Sequence, residues 1–150
     1  MAALYKGLVW VTIGLLLMVM LMTFGSAHAG YRHLRAAAEA AAWSGQTVIH
    51  REAISTTGNQ GYFLAAPQQT SDPVAAAQAQ WQKSVQQLHL SSMFSNLNET
   101  TTVQNNQVTV TASGMFHVPW LDTASRALFG GQYAVTFQVP MRVSVTGSSQ

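Results

Sequence analysis

The feature that most constrains this chain is an uninterrupted apolar run near its amino terminus. From Leu8 to Gly25 the sequence reads LVWVTIGLLLMVMLMTFG and contains no charged residue. As an α-helix these eighteen residues extend ~27 Å, close to the ~30 Å hydrocarbon core of a bilayer. A cleavable signal peptide usually needs an apolar stretch of only ~7–15 residues. The length of the run therefore predicts a membrane-spanning helix.

The residues that follow the run leave a second interpretation open. Ala27-His28-Ala29 has the small-x-small pattern of a signal-peptidase site, and Lys6 supplies a positively charged amino-terminal region. Cleavage after Ala29 would release a secreted domain beginning at Gly30. Ala29 is therefore a possible processing position.

The next segment favours continuation of the helix. RHLRAAAEAAAWSG, from Arg32 to Gly45, has the highest helix propensity in the chain, with six alanines around Glu39. Arg35 and Glu39 are four residues apart and share one helix face. No residue between Gly25 and Gly45 forces a break, so we predict one helix from about residue 3 to about residue 52, ~75 Å long. A helix of this length needs a membrane, partner helices, or both.

Large apolar and small side chains on this helix are the predicted positions of helix–helix packing. Small residues let neighbouring backbones approach closely, and this is how helices associate in lipid. The predicted packing positions are Leu8, Val11, Leu15, Leu17, Met18, Leu21, Gly25, Ala29, Ala36, Ala37, Ala40 and Ala41.

Two signals disagree about which side of the membrane holds the rest of the chain. Arg32, Arg35 and two histidines follow the apolar run, whereas only Lys6 and the terminal amine precede it. The positive-inside rule then places the carboxyl-terminal part in the cytoplasm, by a margin of about one charge. Uncharged Thr- and Asn-rich strands are common in extracellular bacterial proteins. We predict the extracellular side.

The domain organisation predicted from these patterns has three parts. Residues 1–54 form the long helix, with its hydrophobic part at 8–25 and an alanine-rich stalk at 31–52; residues 55–72 form a loop. Residues 73–150 form a globular domain that begins with a helix, which Asp72 caps and Pro73 opens. One face of that helix is apolar, through Val74, Ala77, Trp81, Val85 and Leu88.

The rest of the domain is predicted to be an antiparallel sheet. LNETTTV and QVTVTASGMFHV are strands joined at Asn105-Asn106, which suits a tight hairpin turn. A short helix is expected from Pro119 to Phe129, ended by Gly130-Gly131. Alternation predicts a last strand from Tyr133 to Thr146, in which Pro140 implies an edge or a bulge. The predicted fold class is α+β, with both helices covering the apolar face of the sheet.

The inventory of reactive groups is thin. Charged residues make up 8% of the chain, against ~25% in an average domain, and no basic stripe indicates nucleic-acid binding. The absence of cysteine excludes disulfides and thiolate chemistry. The five histidines have no spacing that places two metal ligands on one helix face. His117 near Asp122 is the best acid–base candidate, and Arg142 lies on the polar side of the last strand. We predict no catalytic, cofactor or metal site.

The order of these elements resembles that of the TadE-like pilins and pseudopilins of type IV-like, tight-adherence systems. The resemblance is carried by LRAAAEAAAWSG after the apolar run and by VTVTASGMFHVPWLDTASRALFGGQYAVTFQVPMRVSV near the end. It implies that the hydrophobic helix is stored in a bacterial membrane and then packs into the core of an extracellular filament or pseudopilus. The implied partners are other copies of the chain, membrane lipid before assembly, and pilus or secretion machinery.

One position departs from the pattern of this family. A prepilin-peptidase site has a glycine, the cut, and a glutamate five residues on, so Gly7 is the corresponding processing position. The fifth residue after Gly7 is Thr12 and not glutamate. In the family that glutamate helps to set the register of subunits.

Two other functions remain open: a membrane-anchored accessory protein that does not polymerise, and a secreted binding module cleaved after Ala29.

Overall fold

The computed structural model describes residues 2–56, 72–118, 120 and 138–147. Within the first range, side chains are described from Tyr5 to Arg51. Most of the predicted 55–72 loop, the predicted short helix after Pro119 apart from Trp120, and the beginning of the predicted last strand lie outside the described residues. The helices and strands are α1 (Ala2–Thr56), α2 (Pro73–Gln87), α3 (Leu90–Met93), β1 (Phe94–Gln104), β2 (Gln107–His117) and β3 (Gln138–Thr146).

α1 is one unbroken helix of 55 residues, ~82 Å long. The predicted continuity across Gly25 and Gly30 is confirmed, and the helix ends at Thr56, a few residues beyond the expected end. Its side chains change environment along its length. The described side chains from Tyr5 to Ala29 are exposed or half-buried, whereas from Gly30 onward one face of the helix is buried. The alanine-rich segment thus belongs to the same packed unit as the sheet.

The sheet has three strands in the order β1-β2-β3, and both neighbouring pairs are antiparallel. Asn105 and Asn106 join β1 to β2 with φ angles of 51° and 59°, so the predicted tight hairpin turn is confirmed. Positive φ at both central residues gives a twist that suits the flanking strands. The inward side chains of β2 alternate as predicted, and the buried ones are Val108, Val110, Ala112 and Phe116.

β1 differs from the sequence prediction at its start. The strand begins at Phe94 instead of Leu97, directly after the one-turn helix α3, which was not predicted. A β-bulge lies between Ser95 and Asn98, where Asn96 has a φ of 53°. An Asn tolerates this left-handed conformation better than most residues do. The bulge adds residues to β1 between Ser95 and Asn98, so that the strand keeps its pairing with β2 on both sides of the register shift.

Two helices cover the apolar face of the sheet. The α2 helix begins as predicted, with the Asp72 carboxylate accepting a hydrogen bond from the Val74 backbone N–H at 2.9 Å. Ala77 and Trp81 of its apolar stripe are buried. α1 contributes Leu34 together with its alanines to the same core. The predicted α+β class, with helices on one face of an antiparallel sheet, is confirmed.

Pro140 lies in β3, where it pairs with Met115 of β2. In the described sheet β3 is an edge strand, which is one of the two placements expected for a proline in a strand. The register shift of the sheet lies in β1 and not at Pro140.

Candidate membrane and assembly surface

The first half of α1 presents apolar side chains in every direction. Of the described residues, one helix is long and apolar enough to cross a membrane, judged by length and composition, and no residue of its most apolar window is buried. Trp10 and Phe24, near its two ends, are 71% and 74% exposed. Exposed apolar surface costs about 25 cal/mol for each Å² in water. This segment therefore requires lipid or other helices around it.

The six large apolar residues predicted for assembly all belong to this segment. Each of them is more than half exposed: Leu8, Val11, Leu15, Leu17, Met18 and Leu21. These six lie on about half of the helix circumference, and exposed Val9, Ile13, Leu16 and Met20 lie on the other half, so this part of α1 is apolar on all sides. A helix of that kind is buried in a membrane or in the middle of a larger assembly.

The few hydroxyl groups of the segment have hydrogen-bond partners inside the helix. Thr12, Thr23 and Ser26 each donate to the carbonyl oxygen four residues earlier, at 2.8–2.9 Å. In a hydrocarbon environment no water would satisfy these groups. The local bonds therefore remove the main polar cost of placing this segment in lipid.

The small residues predicted for helix packing divide between two faces of α1. Gly25, Ala29 and Ala36 are exposed, and Ala40 is half-buried. Ala37 and Ala41 are 1% and 0% exposed because they lie in the core of the chain's own domain. In this fold those two alanines are enclosed by the chain's own domain, in which α1 packs against both α2 and the sheet, and they are not exposed to a helix of another chain.

Two glycines bring α1 against the sheet. A Cβ atom at Gly30 would lie 2.5 Å from Cε2 of Phe116, and one at Gly45 would lie 2.9 Å from Cγ1 of Val108 and from the Pro73 carbonyl oxygen. Both distances are shorter than ordinary side-chain carbon contacts, so a larger residue at either position would force its neighbours to shift. Because Gly30 meets the end of β2 and Gly45 meets its start, β2 runs antiparallel to α1.

A buried glutamine joins α1 to the hairpin. Gln46 is 6% exposed; its Nε2 donates to the Asn106 carbonyl oxygen at 3.0 Å, and its Oε1 accepts from the Val108 N–H at 3.1 Å. A buried polar side chain is stable where both of its ends are paired. Sequence analysis did not identify Gln46. Gln46 lies on the same face of α1 as buried Ala38, Ala42 and Gly45, and this placement could have predicted that its side chain is buried.

Basic side chains follow the apolar segment directly. His28, Arg32, His33 and Arg35 are all exposed. Arg35 Nε donates to Glu39 Oε1 at 2.7 Å, which confirms the predicted pair on one helix face. The four residues extend over two turns of α1, at the level where the domain begins.

The residues considered for catalysis do not form a site in the described part of the chain. His117 lies half-buried at the end of β2, and Asp122 is outside the described residues. Arg142 is exposed beside a shallow cavity of about 280 Å³, next to Gly114, Met115 and Pro140. The described residues include no group of three His, Asp or Glu side chains placed to hold a metal ion.

Comparisons of the chain with protein-family models, with curated proteins and with solved structures give no match. The resemblance to TadE-like pilins stays a prediction, as do the processing positions Gly7 and Ala29.

Proposed function

We propose that this chain is a structural, pilin-like subunit. Its apolar segment is held in the membrane before assembly and then packs into the helical core of an extracellular type IV-like filament or pseudopilus, with the sheet facing outward. The observation that carries the proposal is the continuity of α1, which runs without a break from an exposed apolar half into the core of the domain.

This continuity makes the apolar half a rigid extension of the domain. Residues 2–29 extend ~42 Å beyond the level at which Gly30 contacts Phe116. The close contacts at Gly30 and Gly45 fix the direction of the helix relative to the sheet. A subunit with a fixed extension can repeat the same packing many times, as a filament requires.

The face of the sheet that points away from α1 suits contact with water. Two rows of hydroxyl side chains cross the three strands in register: Thr100, Thr111 and Ser144, and Thr102, Thr109 and Thr146. Within these rows Thr109 and Thr146 are hydrogen-bonded at 2.9 Å, and Thr111 and Ser144 at 3.2 Å. Uncharged polar groups of this kind are hydrated without attracting ions of one sign.

The experiment compares two substitutions that place a glutamate at an exposed aliphatic position. Leu17, in the apolar segment, is 55% exposed, and Val103, in β1, is 39% exposed. A carboxylate in the middle of a spanning helix costs about 2.5–3.5 kcal/mol. We expect Leu17→Glu to abolish filaments sheared from the producing cells and seen by electron microscopy, and Val103→Glu to leave them intact. Normal filaments from Leu17→Glu would contradict the proposal.

A membrane-anchored accessory protein gives a different result in the same experiment. The wild-type chain would then remain in the membrane fraction and be absent from sheared material. That outcome would support a membrane-anchored protein and exclude a filament subunit.

A secreted module is favoured by one specific observation. The buried core of the domain begins at Gly30, directly after the possible signal-peptidase position Ala29. Cleavage there would remove the exposed apolar residues and retain the core contributed by α1. The mature protein would then be soluble and would begin at Gly30, whereas the filament proposal requires the apolar segment to be retained.

A further inference from the structure

We propose that the end of the domain nearest the apolar segment binds the headgroups of anionic phospholipids, chiefly through Arg32. This inference rests on the membrane insertion in the proposed function and adds a lipid class to it. His28 lies four residues before Arg32, on the same face of α1.

The rise of the helix places Arg32 at the membrane surface. Phe24 is the last large apolar residue of the exposed segment, and Arg32 lies eight residues later, ~12 Å along the axis. Each headgroup layer of a bilayer is roughly 5–8 Å thick. A long arginine side chain directs its charge back toward the headgroups while its methylene groups lie along the helix. Arg32 can therefore reach lipid phosphates when Phe24 is in the hydrocarbon.

The other described acidic groups of the domain lie farther from the membrane: Glu99 pairs with Ala112, four residues from Phe116 toward the hairpin and ~13 Å along the strand. Because β2 runs antiparallel to α1, its Phe116 end lies on the membrane side. The rings of Phe116 and Phe94 are 5.3 Å apart, so the start of β1 lies there too. Asp72 is at the opposite end, since its neighbour Pro73 contacts Gly45.

The described charged side chains at this end of α1 are Arg32, Arg35 and Glu39. Glu39 is paired with Arg35 at 2.7 Å, and no described carboxylate forms an ion pair with Arg32. A surface with this charge attracts anionic lipid more strongly than zwitterionic lipid.

The test uses the full chain reconstituted in vesicles. Spin-labelled phosphatidylglycerol and phosphatidylcholine are added to phosphatidylcholine vesicles at 0.15 M salt, and electron paramagnetic resonance measures the preference of the protein for each lipid. We expect a preference for phosphatidylglycerol that falls about fivefold in Arg32→Gln, the effect of one basic residue near the surface. Arg35→Gln should have a smaller effect than Arg32→Gln, because Arg35 is paired with Glu39.

Arg51→Gln is the matched control. Arg51 is exposed on the same helix, nineteen residues beyond Arg32, which is ~28 Å farther from the membrane. That separation exceeds the screening length of ~8 Å at this salt concentration. We expect Arg51→Gln to keep the wild-type preference.

Three outcomes would overturn the inference. An inserted protein without preference for phosphatidylglycerol, or with equal losses in Arg32→Gln and Arg51→Gln, overturns lipid binding alone. Release of the wild-type chain from phosphatidylcholine vesicles by alkaline carbonate overturns the membrane insertion, and the lipid site with it.

Discussion

Gly30 of α1 and Phe116 of β2 are so close that a side-chain carbon at Gly30 would lie 2.5 Å from Cε2 of the ring. The ring is 3% exposed and makes an edge contact with Phe94, at 5.3 Å between centroids. It has little room to move away. This contact marks the point at which α1 passes from its exposed half into the core of the domain.

Gly30→Ala should therefore destabilise the domain although alanine is the better helix former. Overpacking of a core costs typically about 1–3 kcal/mol, against the ~1 kcal/mol gained in helix propensity. The measurement is urea unfolding of the full chain in detergent, followed by tryptophan fluorescence. Gly25→Ala is the control, because no atom lies within 4 Å of its added carbon. We expect Gly25→Ala to be neutral or stabilising; equal stability of the two variants would contradict the contact.

Gln46→Leu should lower the free energy of unfolding by about 2–4 kcal/mol. The substitution leaves the buried Val108 N–H without its side-chain partner, which costs about 1–3 kcal/mol, and it removes the hydrogen bond to the carbonyl oxygen of exposed Asn106, which contributes about 1 kcal/mol. Gln78→Leu is the matched control, because Gln78 is exposed on α2 and should change stability by less than about 0.5 kcal/mol. The same urea titration distinguishes the two. A Gln46→Leu variant as stable as Gln78→Leu would show that the two hydrogen bonds of the Gln46 side chain contribute nothing to stability.

Ala36 and Ala37 are neighbours in the sequence, but they should respond in opposite ways to a charge. Ala37 is 1% exposed in the core, and Ala36 is exposed. An unpaired carboxylate in the core is strongly unfavourable, so Ala37→Glu should unfold the domain, with a loss of more than about 3 kcal/mol. Ala36→Glu should leave the near-ultraviolet circular dichroism spectrum unchanged. A folded Ala37→Glu domain would contradict the burial of Ala37 in the core.

The turn at Asn105-Asn106 should depend on its left-handed backbone. Asn106 has a φ of 59°, which glycine adopts freely and a β-branched residue avoids. We expect Asn106→Gly to match the wild type or exceed its stability, and Asn106→Val to lose about 1–3 kcal/mol. Thermal unfolding of the two variants in the same detergent measures the difference. Equal thermal midpoints for Asn106→Gly and Asn106→Val would contradict the positive φ angle at residue 106.

Local patterns in the sequence were enough to predict several elements of the fold. The absence of breaking residues between Gly25 and Gly45 predicted one long helix, because helix propensity is a property of neighbouring residues. The hairpin turn followed from Asn105 and Asn106, since few residue pairs accept two positive φ angles. The cap of α2 followed from Asp72 for a similar local reason.

The partners of the alanine-rich face could not be predicted in the same way. Small residues on a helix permit close approach equally well to a second helix in lipid and to a sheet in the same chain. Only the folded structure shows that Ala37 and Ala41 are buried in the core of the domain while Ala36 is exposed. The role of Gln46 was missed for the same reason, because its partners are sixty residues or more away in the sequence. The bulge at Asn96 also depends on pairing with β2.

The most direct test of the account is the intact mass and amino-terminal sequence of the protein isolated from its producing cells. The filament proposal requires the exposed apolar half of α1 to be present, so a chain that begins at Met1 or Leu8 is the predicted result. The protein should then be recovered from membranes and from sheared filaments. A chain that begins at Gly30 would contradict the account, because it would lack the segment that anchors and assembles the subunit.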